Sequence, residues 1–385
     1  MHSRRSLKLG CRWVDGLRAA AGGDHVWGYH VCHSLKVAVP RSLSTCSAVI
    51  VPRFGGPEVM EYQYGVALPD LCPNEVLVRT RAAAVNPLDI RMRAGYGKSL
   101  FERLLPLVLG RDVSGEVAAV GSAVRQLHVG QEVFGALHPT AVRGTYSDYS
   151  ILAEEQLALK PPSLSHAEAA AIPFAALTAW RALRSTARIK NGQQVLILGG
   201  GGAVGLSAIQ LGKAAGCEVA VTCGKRSMDR VMEAGAGQAV HYASENIKEQ
   251  FKSRFDVVLD TIGMQETEAL GINLLKRGGH YLTLQGEIVS LADKYGLIAG
   301  GAAATSKLVQ KQLQYKQSHG IEYWWTVMRT DRDGLEEISR LAKEGRLKLN
   351  VGPIFPLSKA ADAHRIGEGK QVQGKVILEV NYNDV

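Results

Sequence analysis

A run of four glycines between an apolar strand and an apolar helix constrains this chain more than any other feature. Residues 195–205 contain the pattern G-x-G-x-x-G at Gly200, Gly202 and Gly205. In a dinucleotide-binding turn, the first glycine permits the tight turn, the second admits the pyrophosphate, and the third packs helix against strand. The amides and the positive end of the following helix favour the phosphates. We therefore predict that the whole turn binds a dinucleotide: Gly200, Gly201, Gly202, Ala203, Val204 and Gly205.

Strand and helix patterns alternate on both sides of this turn. Strands are predicted at 194–198, 218–223, 255–260 and 280–284, with helical segments between them. Such alternation indicates a parallel sheet with right-handed crossovers. Residues 48–160 instead show short β-rich runs separated by Gly, Pro and Asn, which are typical of an irregular β-barrel. The sequence thus predicts an α/β protein with two domains.

The chain of 385 residues is long enough for each domain to bury its own core. We predict a β-rich domain at 47–165 and a parallel-sheet domain at 166–335. The segment 336–385 is predicted to return to the first domain.

The N-terminal segment 1–46 differs in composition from the rest of the chain. It carries seven Lys and Arg against two Asp, and it lacks the compact apolar core of a secretory signal. Such a segment predicts a transit peptide, with the mitochondrion (matrix or inner membrane) favoured and the plastid as the alternative. A disordered tail would have a similar composition.

The net charge of +9 is partly explained by this segment. We find no clustered basic motif elsewhere, so no nucleic-acid partner is predicted. The most apolar stretch contains four glycines and a glutamine, which makes it a poor membrane span.

The second predicted strand ends where a dinucleotide's ribose is expected. A site for NAD would place an acidic residue about 20 residues after the glycine turn. This chain has Lys225, Arg226 and Ser227 there, with no acidic residue in the turn. The cations would favour a 2′-phosphate, so NADPH is the predicted cofactor. The alternative is that they are solvated loop residues.

Five further segments carry a family resemblance, at 83–90, 109–117, 130–135, 144–149 and 169–180. They resemble the zinc-independent quinone oxidoreductases of the medium-chain dehydrogenase/reductase superfamily, in family order from about residue 48 to 380. With its N-terminal segment, the chain is similar to the mitochondrial reticulon-interacting branch of that family. The resemblance implies a GroES-like β-barrel catalytic domain and a Rossmann-type NAD(P)-binding domain.

The same resemblance allows a test for zinc. Where the alcohol dehydrogenases of this superfamily place a Cys, a His-Glu pair and a second Cys, this chain has Asn86, Arg111-Asp112 and Phe174. These side chains cannot form a thiolate and imidazole site, so no metal is predicted. Without a Lewis acid, the expected acceptor is a conjugated carbonyl, either a quinone or an α,β-unsaturated ketone, which spreads the developing charge.

The resemblance and the sheet topology together suggest the remaining site residues. The resemblance implies Asn86 and Tyr96 at the acceptor, Tyr146 and Thr178 beside the nicotinamide, Tyr242 at the ribose phosphate, and Lys375 near the cofactor. Position along the predicted sheet suggests four cofactor contacts at or near strand ends: Asp260, Gly263, Leu284 and Gly286. It also suggests Gly279, which directly precedes the fourth strand. Each could instead be a packing residue.

Two other functions remain open. An enoyl-thioester reductase would need cations for a carrier's phosphate, and Arg91, Arg93, Lys98 and Arg103 are candidates. Alternatively, the protein is an NADPH-binding scaffold with a membrane-protein partner or a peripheral contact with the mitochondrial membrane. The resemblance implies that the segment 323–327 adds an edge strand that pairs two copies in a homodimer; the alternative is that it forms a wall of the acceptor pocket.

Overall fold

The computed structural model describes residues 44–243, 247–251, 255–369 and 372–380. The predicted transit peptide lies almost entirely outside them, although the first strand already begins at Thr45. The first part of the chain is β-rich, as expected. Its strands are β1 (Thr45–Val51), β2 (Glu61–Ala67), β3 (Glu75–Ala84), β4 (Leu107–Val108), β5 (Asp112–Val120), β6 (Glu132–Ala136), β7 (Tyr149–Ala153) and β8 (Leu157–Leu159), and its helices are α1 (Pro87–Arg93) and α2 (Lys98–Phe101).

Helices and strands alternate in the middle of the chain. The helices are α3 (His166–Ala170), α4 (Pro173–Trp180), α5 (Ala203–Ala214), α6 (Met228–Glu233), α7 (Ile247–Gln250), α8 (Gln265–Leu274), α9 (Ile288–Tyr295) and α10 (Leu297–His319). The strands are β9 (Gln194–Leu198), β10 (Glu218–Cys223), β11 (Gln238–His241), β12 (Phe255–Asp260), β13 (Leu275–Thr283) and β14 (Glu322–Trp325). The last elements are α11 (Arg332–Lys343), β15 (Val351–Pro356), α12 (Ala360–Glu368) and β16 (Lys375–Glu379).

The middle strands form one six-stranded parallel sheet in the order β11-β10-β9-β12-β13-β14. Val195 to Leu198 of the central strand β9 are completely buried, as expected for a strand covered by helices on both faces. The chain first winds outward from β9 to β11 and then back through β12 to β14. The strand order therefore switches beside β9, where open α/β sheets bind ligands at their carboxyl edge.

The other strands form a three-stranded sheet and a seven-stranded mixed sheet around an apolar core of their own. β16 pairs antiparallel with β3, bringing Ile377 opposite Ala84, and β15 pairs parallel with β16. The C-terminal strands thus lie beside the end of β3, from which α1 begins. The predicted α/β fold, with a β-rich part and a parallel sheet joined by helices, is confirmed.

The longest helix, α10, has 23 residues but is rich in Gln and Lys. None of the helices in the described ranges is long and apolar enough to span a bilayer.

Candidate cofactor and acceptor site

The glycine-rich turn joins β9 to α5 at the carboxyl edge of the parallel sheet. Gly199 has a φ of +86°, a conformation that favours glycine, so the tight turn begins one residue earlier than the sequence pattern indicated. Gly205 packs against the turn so closely that a Cβ there would lie 2.6 Å from the Gly199 carbonyl oxygen. Gly202 differs, because a Cβ there would meet no atom within 4 Å.

The start of α5 offers free hydrogen-bond donors beside this open space. The first helical bond runs from the Leu206 amide to the Gly202 carbonyl, at 2.8 Å. The amides before Leu206 therefore have no partner within the helix, and the positive end of its dipole lies there. Open space at Gly202 beside unpaired amides fits a pyrophosphate. Gly201 lets Ser227 approach, since a Cβ at Gly201 would lie 2.5 Å from the Ser227 Oγ.

Beside this turn, the end of β10 carries the predicted ribose residues. Lys225 and Arg226 are exposed, and Ser227 lies next to them in the same turn. The exposed ring of Tyr242 lies against Gly224. Its Cε1 would be 3.4 Å from a Cβ added to Gly224. The structure therefore gathers Tyr242 and the two cations around one turn.

Arg230 is a third cation here that the sequence analysis missed. Its Nη2 donates to the Ser227 Oγ at 2.8 Å, and its Nε is buried without a partner in the described part of the chain. It lies on α6, one helical turn after Arg226. That i, i+4 spacing is the signal that could have found it.

Asp260, at the end of β12, holds the neighbouring turn rather than facing open space. Its carboxylate accepts from the Ile262 and Gly263 amides at 2.8 and 2.9 Å. The hydroxyls of Thr267 and Tyr281 also donate to it, at 2.7 and 2.6 Å. The side chain is completely buried, so Asp260 shapes the carboxyl edge and does not offer its carboxylate to a cofactor.

Of the three predicted glycines around β13, two lie at the carboxyl edge of the sheet and the third lies inside the strand. Gly263 has a φ of +75° and packs against Gln285, and Gly286 packs against Trp325, both at the carboxyl edge beside Leu284. Gly279 instead contacts Leu275 and the Asp256 carbonyl at the amino end of β12. Four residues of strand span about 13 Å, so Gly279 is too far from the carboxyl edge and we withdraw it from the cofactor site.

Asn86, Asp112, Phe174 and Lys375 meet in a buried cluster, although they are far apart in the sequence. The Asp112 Oδ2 accepts from the Asn86 Nδ2 at 2.8 Å and pairs with the Lys375 Nζ at 3.2 Å. Its Oδ1 accepts from the Phe174 amide at 2.6 Å. The Lys375 Nζ also donates to the Asn86 Oδ1. The side-chain ammonium group of Lys375 thus provides the positive charge of this cluster.

Asn86 has little freedom in this cluster. It is 2% exposed, and it begins α1 with its backbone amide donating to the Asp89 carboxylate at 2.9 Å. Both ends of its side-chain amide already have charged partners. Asn86 is therefore held in one orientation, with one remaining N–H available as a donor.

Tyr146 and Thr178 lie behind this cluster. The Tyr146 ring is completely buried, and its hydroxyl lies 3.2 Å from the His364 Nε2. Burial raises the pKa of Tyr146 well above its usual value, so the phenol stays neutral. The Thr178 Oγ1 donates to the Phe174 carbonyl at 2.7 Å, and this residue is 6% exposed. Both placements favour packing and positioning over direct contact with a nicotinamide.

Tyr96 lies on a loop that is attached to the parallel-sheet part of the protein. The Gly97 and Ser99 amides donate to the Asp293 carboxylate at 2.8 and 2.9 Å. The Arg91 guanidinium lies 4.3 Å from the centre of the Tyr96 ring and also donates to the Gln285 Oε1 at 3.3 Å. These contacts hold the tyrosine near the carboxyl end of β13. Burial raises the pKa of Tyr96, so its hydroxyl is a neutral hydrogen-bond donor near pH 7.

Arg93 does not line the mouth of the site, contrary to the sequence-based hypothesis. It is 2% exposed, and its Nε donates to the Gly55 carbonyl at 3.1 Å. The guanidinium also contacts His364 and pairs with Glu368. Lys98 and Arg103 are exposed, so the cations open to a carrier's phosphate are fewer than predicted.

The buried His364 makes stability depend on pH. Burial lowers the pKa of His364 to about 3, whereas the unfolded side chain titrates near 6.5. Between these two pH values the imidazole takes up a proton only in the unfolded chain. The stabilisation that comes from keeping His364 neutral is therefore complete above about pH 6.5 and is lost as the pH falls toward 3. Between pH 7.5 and 5 we expect the wild-type free energy of unfolding to fall by about 2 kcal/mol more than that of His364→Gln.

Urea denaturation at the two pH values measures this difference. His128→Gln, which removes an exposed histidine, is the control and should keep the wild-type pH dependence. Equal pH dependence in all three proteins would show that His364 is not held neutral.

Within the described ranges, no three His, Cys, Asp or Glu side chains come together in a way that could hold a metal ion. The predicted absence of zinc stays a prediction, and a chelator tests it.

Comparison with known proteins agrees with this architecture. A family model described as an alcohol dehydrogenase GroES-like domain matches residues 72–162, and one described as a zinc-binding dehydrogenase matches 234–378. The mitochondrial NAD(P)H oxidoreductase RTN4IP1 of Mus musculus is 33% identical, over 91% of this chain and 96% of that protein. The chloroplastic NADPH-dependent alkenal/one oxidoreductase of Arabidopsis thaliana is 30% identical, over 89% of this chain and 80% of that protein.

Among solved structures, the quinone oxidoreductase from Coxiella burnetii superimposes with a TM-score of 0.74 and 28% identity. It covers 88% of this chain and 100% of its own. Sequence identity over nearly the full length, both family models and the shared fold agree with one another. The chain therefore belongs to the medium-chain dehydrogenase/reductase superfamily, among the relatives of the quinone oxidoreductases and of mitochondrial RTN4IP1.

Proposed function

We propose that this protein is an NADPH-dependent oxidoreductase that transfers a hydride to a quinone or an α,β-unsaturated carbonyl without zinc. The observation that carries the proposal is the attachment of the Tyr96 loop to Asp293 on α9, together with the Arg91 side chain, which lies over the Tyr96 ring and donates to Gln285 just after β13. This attachment supports a role for the neutral Tyr96 phenol at the carboxyl edge of the sheet, which also carries the glycine-rich turn.

Each part of the site has a role in such a reaction. The amides at the start of α5 bind the pyrophosphate, and the cofactor supplies the hydride when bound. The Tyr96 hydroxyl donates a hydrogen bond to the acceptor oxygen, where negative charge develops. Asn86, fixed by Asp112 and Lys375, positions the acceptor with its remaining N–H. Conjugation spreads the charge, so positioning and hydrogen bonds are sufficient.

The relatives support this class of acceptor. The alkenal/one oxidoreductase and the quinone oxidoreductase are named for conjugated carbonyl substrates, and RTN4IP1 is named as an NAD(P)H oxidoreductase. The mitochondrial relatives support a mitochondrial location, and the chloroplastic relative keeps the plastid as the alternative. A matrix or inner-membrane position is our hypothesis, as is a peripheral contact with that membrane.

We expect the cations beside Tyr242 to make the protein prefer NADPH. The double variant Lys225→Gln/Arg226→Gln and the single variant Arg230→Gln should each weaken NADPH binding about tenfold, because each removes charge-assisted contacts to the 2′-phosphate. Binding of NADH should change less than about twofold, because NADH lacks that group. Titration of both cofactors measures this, with Lys213→Gln on α5 as the control. Equal losses for NADPH and NADH would contradict the assignment.

Two rival functions make different predictions in one assay. Oxidation of NADPH is followed with short-chain quinones, enones and enoyl thioesters, using protein without residues 1–43 and with a chelator present. Turnover with quinones or enones that the chelator does not change supports the proposal. Turnover only with enoyl thioesters supports the first rival, which the burial of Arg93 disfavours. Tight NADPH binding without turnover supports the scaffold.

We also propose a homodimer formed through β14. This strand is the edge of the six-stranded sheet and pairs only with β13 in the described part of the chain. An exposed strand edge presents unpaired amides and carbonyls to a second copy. Sedimentation of the purified protein tests this proposal.

A further inference from the structure

A row of polar side chains lies behind the first turn of α1, and we name it the polar row. Its members are, in order, Glu368, Arg93, His364, Tyr146 and Asp89. Arg93 is 2% exposed, and His364, Tyr146 and Asp89 are completely buried. The polar row therefore begins at the exposed Glu368 on α12 and ends inside the protein, on α1.

Arg93 sets the direction of the hydrogen bonds in the polar row. A guanidinium group can only donate, and its Nη2 donates to the Glu368 carboxylate. Its Nη1 lies 3.3 Å from the His364 Nδ1, so that nitrogen must accept. Burial lowers the pKa of His364 to about 3, so the imidazole is neutral and carries its one proton on Nε2. The Tyr146 hydroxyl, 3.2 Å away, accepts from this Nε2.

The Tyr146 hydroxyl accepts from His364 and still has its own proton to donate. Burial and the negative charges of Asp89 and Asp112 raise the pKa of Tyr146, and a hydrogen bond to Asp89 raises it further. The hydroxyl therefore donates to the Asp89 carboxylate. Each bond between Arg93 and Asp89 thus has one donor and one acceptor that cannot exchange roles.

Asp89 connects the polar row to Asn86. Its Oδ2 accepts from the Asn86 amide at 2.9 Å, and its Oδ1 accepts from the Gly110 amide at 3.2 Å. Burial raises the pKa of Asp89, and the nearby Arg111 charge opposes this rise. With Tyr146, three donors converge on this carboxylate. Asp89 therefore fixes the backbone of Asn86, whereas the buried cluster described above fixes its side chain.

We propose that His364 and Tyr146 are positioning residues for Asn86, and that the polar row holds His364 in the tautomer with its proton on Nε2. The positioning role rests on the proposed function, which places Asn86 at the acceptor, but the tautomer does not. When one support of Asn86 is lost, its free N–H remains but is less well aimed at the acceptor, and errors of about 1 Å in position can slow a reaction severely.

The tautomer is tested in the full protein by ¹⁵N NMR of labelled histidine side chains, with His364→Gln identifying the His364 signals. We expect a protonated Nε2 and an unprotonated Nδ1 at pH 7.5 and at pH 5. A proton on Nδ1 at either pH would overturn the proposal. This measurement needs neither cofactor nor turnover, so its outcome is independent of the proposed function.

The positioning role is tested by turnover of NADPH with a quinone or an enone. His364→Leu and Tyr146→Phe should each lower kcat about tenfold, while the KM for NADPH changes less than about twofold. His364→Gln should keep kcat within about threefold of the wild type, because its amide oxygen can accept from Arg93 and its amide nitrogen can donate to Tyr146. Tyr315→Phe is the control, since it removes a hydroxyl that donates to Glu268 at 2.7 Å on α10.

Two kinetic results would overturn the positioning role. One is equal kcat in His364→Gln and His364→Leu, and the other is a Tyr146→Phe variant no slower than Tyr315→Phe. Hydrogen exchange of the Asn86 backbone amide gives a readout that needs no turnover. It should be at least about fivefold faster in Tyr146→Phe than in the wild type, because Asp89 loses one of its three donors. An unchanged exchange rate would likewise overturn the role.

Wild-type affinity for NADPH confirms that each variant is folded. If His364→Leu does not fold, Tyr146→Phe decides the role, because it keeps the buried ring and removes only the hydroxyl.

Discussion

Replacing Gly202 with alanine should weaken NADPH binding about a hundredfold, the loss expected when two charge-assisted hydrogen bonds to the pyrophosphate are lost. The backbone of Gly202 is extended, with φ −84° and ψ 168°, so alanine fits without strain. Its Cβ would meet no protein atom within 4 Å, but it would project beside the free amides of α5. The cofactor-free protein should keep its Tm within about 3 °C, since an alanine N-cap costs about 1 kcal/mol or less relative to glycine.

Calorimetric titration and thermal melting of the same samples separate these two effects. Gly301→Ala is the matched control, because a Cβ at Gly301 also meets no atom within 4 Å and this residue lies on α10 away from the turn. Gly205→Ala should lower both Tm and affinity, since its Cβ would clash with the backbone of Gly199 and Gly200. Wild-type affinity in Gly202→Ala would show that the pyrophosphate does not bind at this turn.

Replacing Lys375 with methionine should lower the free energy of unfolding by about 3 kcal/mol, the usual result of removing one partner of a buried ion pair. Asp112 is completely buried, and Lys375 is 6% exposed. Without the ammonium, the Asp112 carboxylate keeps only the Asn86 and Phe174 donors. The double variant Lys375→Met/Asp112→Asn should recover most of the loss, because it removes the uncompensated charge as well.

Urea denaturation of both single variants and the double variant gives the coupling between the two residues. Lys276→Met is the control, because Lys276 pairs with Asp256 at 2.9 Å on a half-exposed surface, where ion pairs contribute less than about 1 kcal/mol. If Lys375→Met were no more destabilising than Lys276→Met, or if the cycle showed no coupling, the buried cluster would not hold Asn86 as we describe.

The sequence predicts the features that are local or periodic. Alternating apolar strands and helices predicted a parallel sheet with four of its six strands, although β11 was not predicted, and the glycine pattern predicted the turn before α5. The pattern did not show that the positive φ belongs to Gly199, because four consecutive glycines permit several registers. Arg230 was missed because its relation to Ser227 depends on where α6 begins.

Other features depend on contacts between distant parts of the chain, which one sequence does not reveal. Arg93 looked like a surface cation, yet its contact with His364 joins residues 271 positions apart. The Asp293 carboxylate reaches the Gly97 amide across 196 residues. Gly279 was assigned to the cofactor site, yet it is followed by His280, which pairs with Val257 near the start of β12, so it lies well before the carboxyl edge of the sheet.

The most direct test of hydride transfer uses NADPH that carries deuterium at the transferable position of the nicotinamide, with an enone as the acceptor and a chelator present. Mass spectrometry and NMR of the product locate the label. We predict one deuterium on the carbon β to the carbonyl, at a rate that the chelator does not change. Label on the carbonyl carbon, or no product although NADPH is bound, would contradict this account.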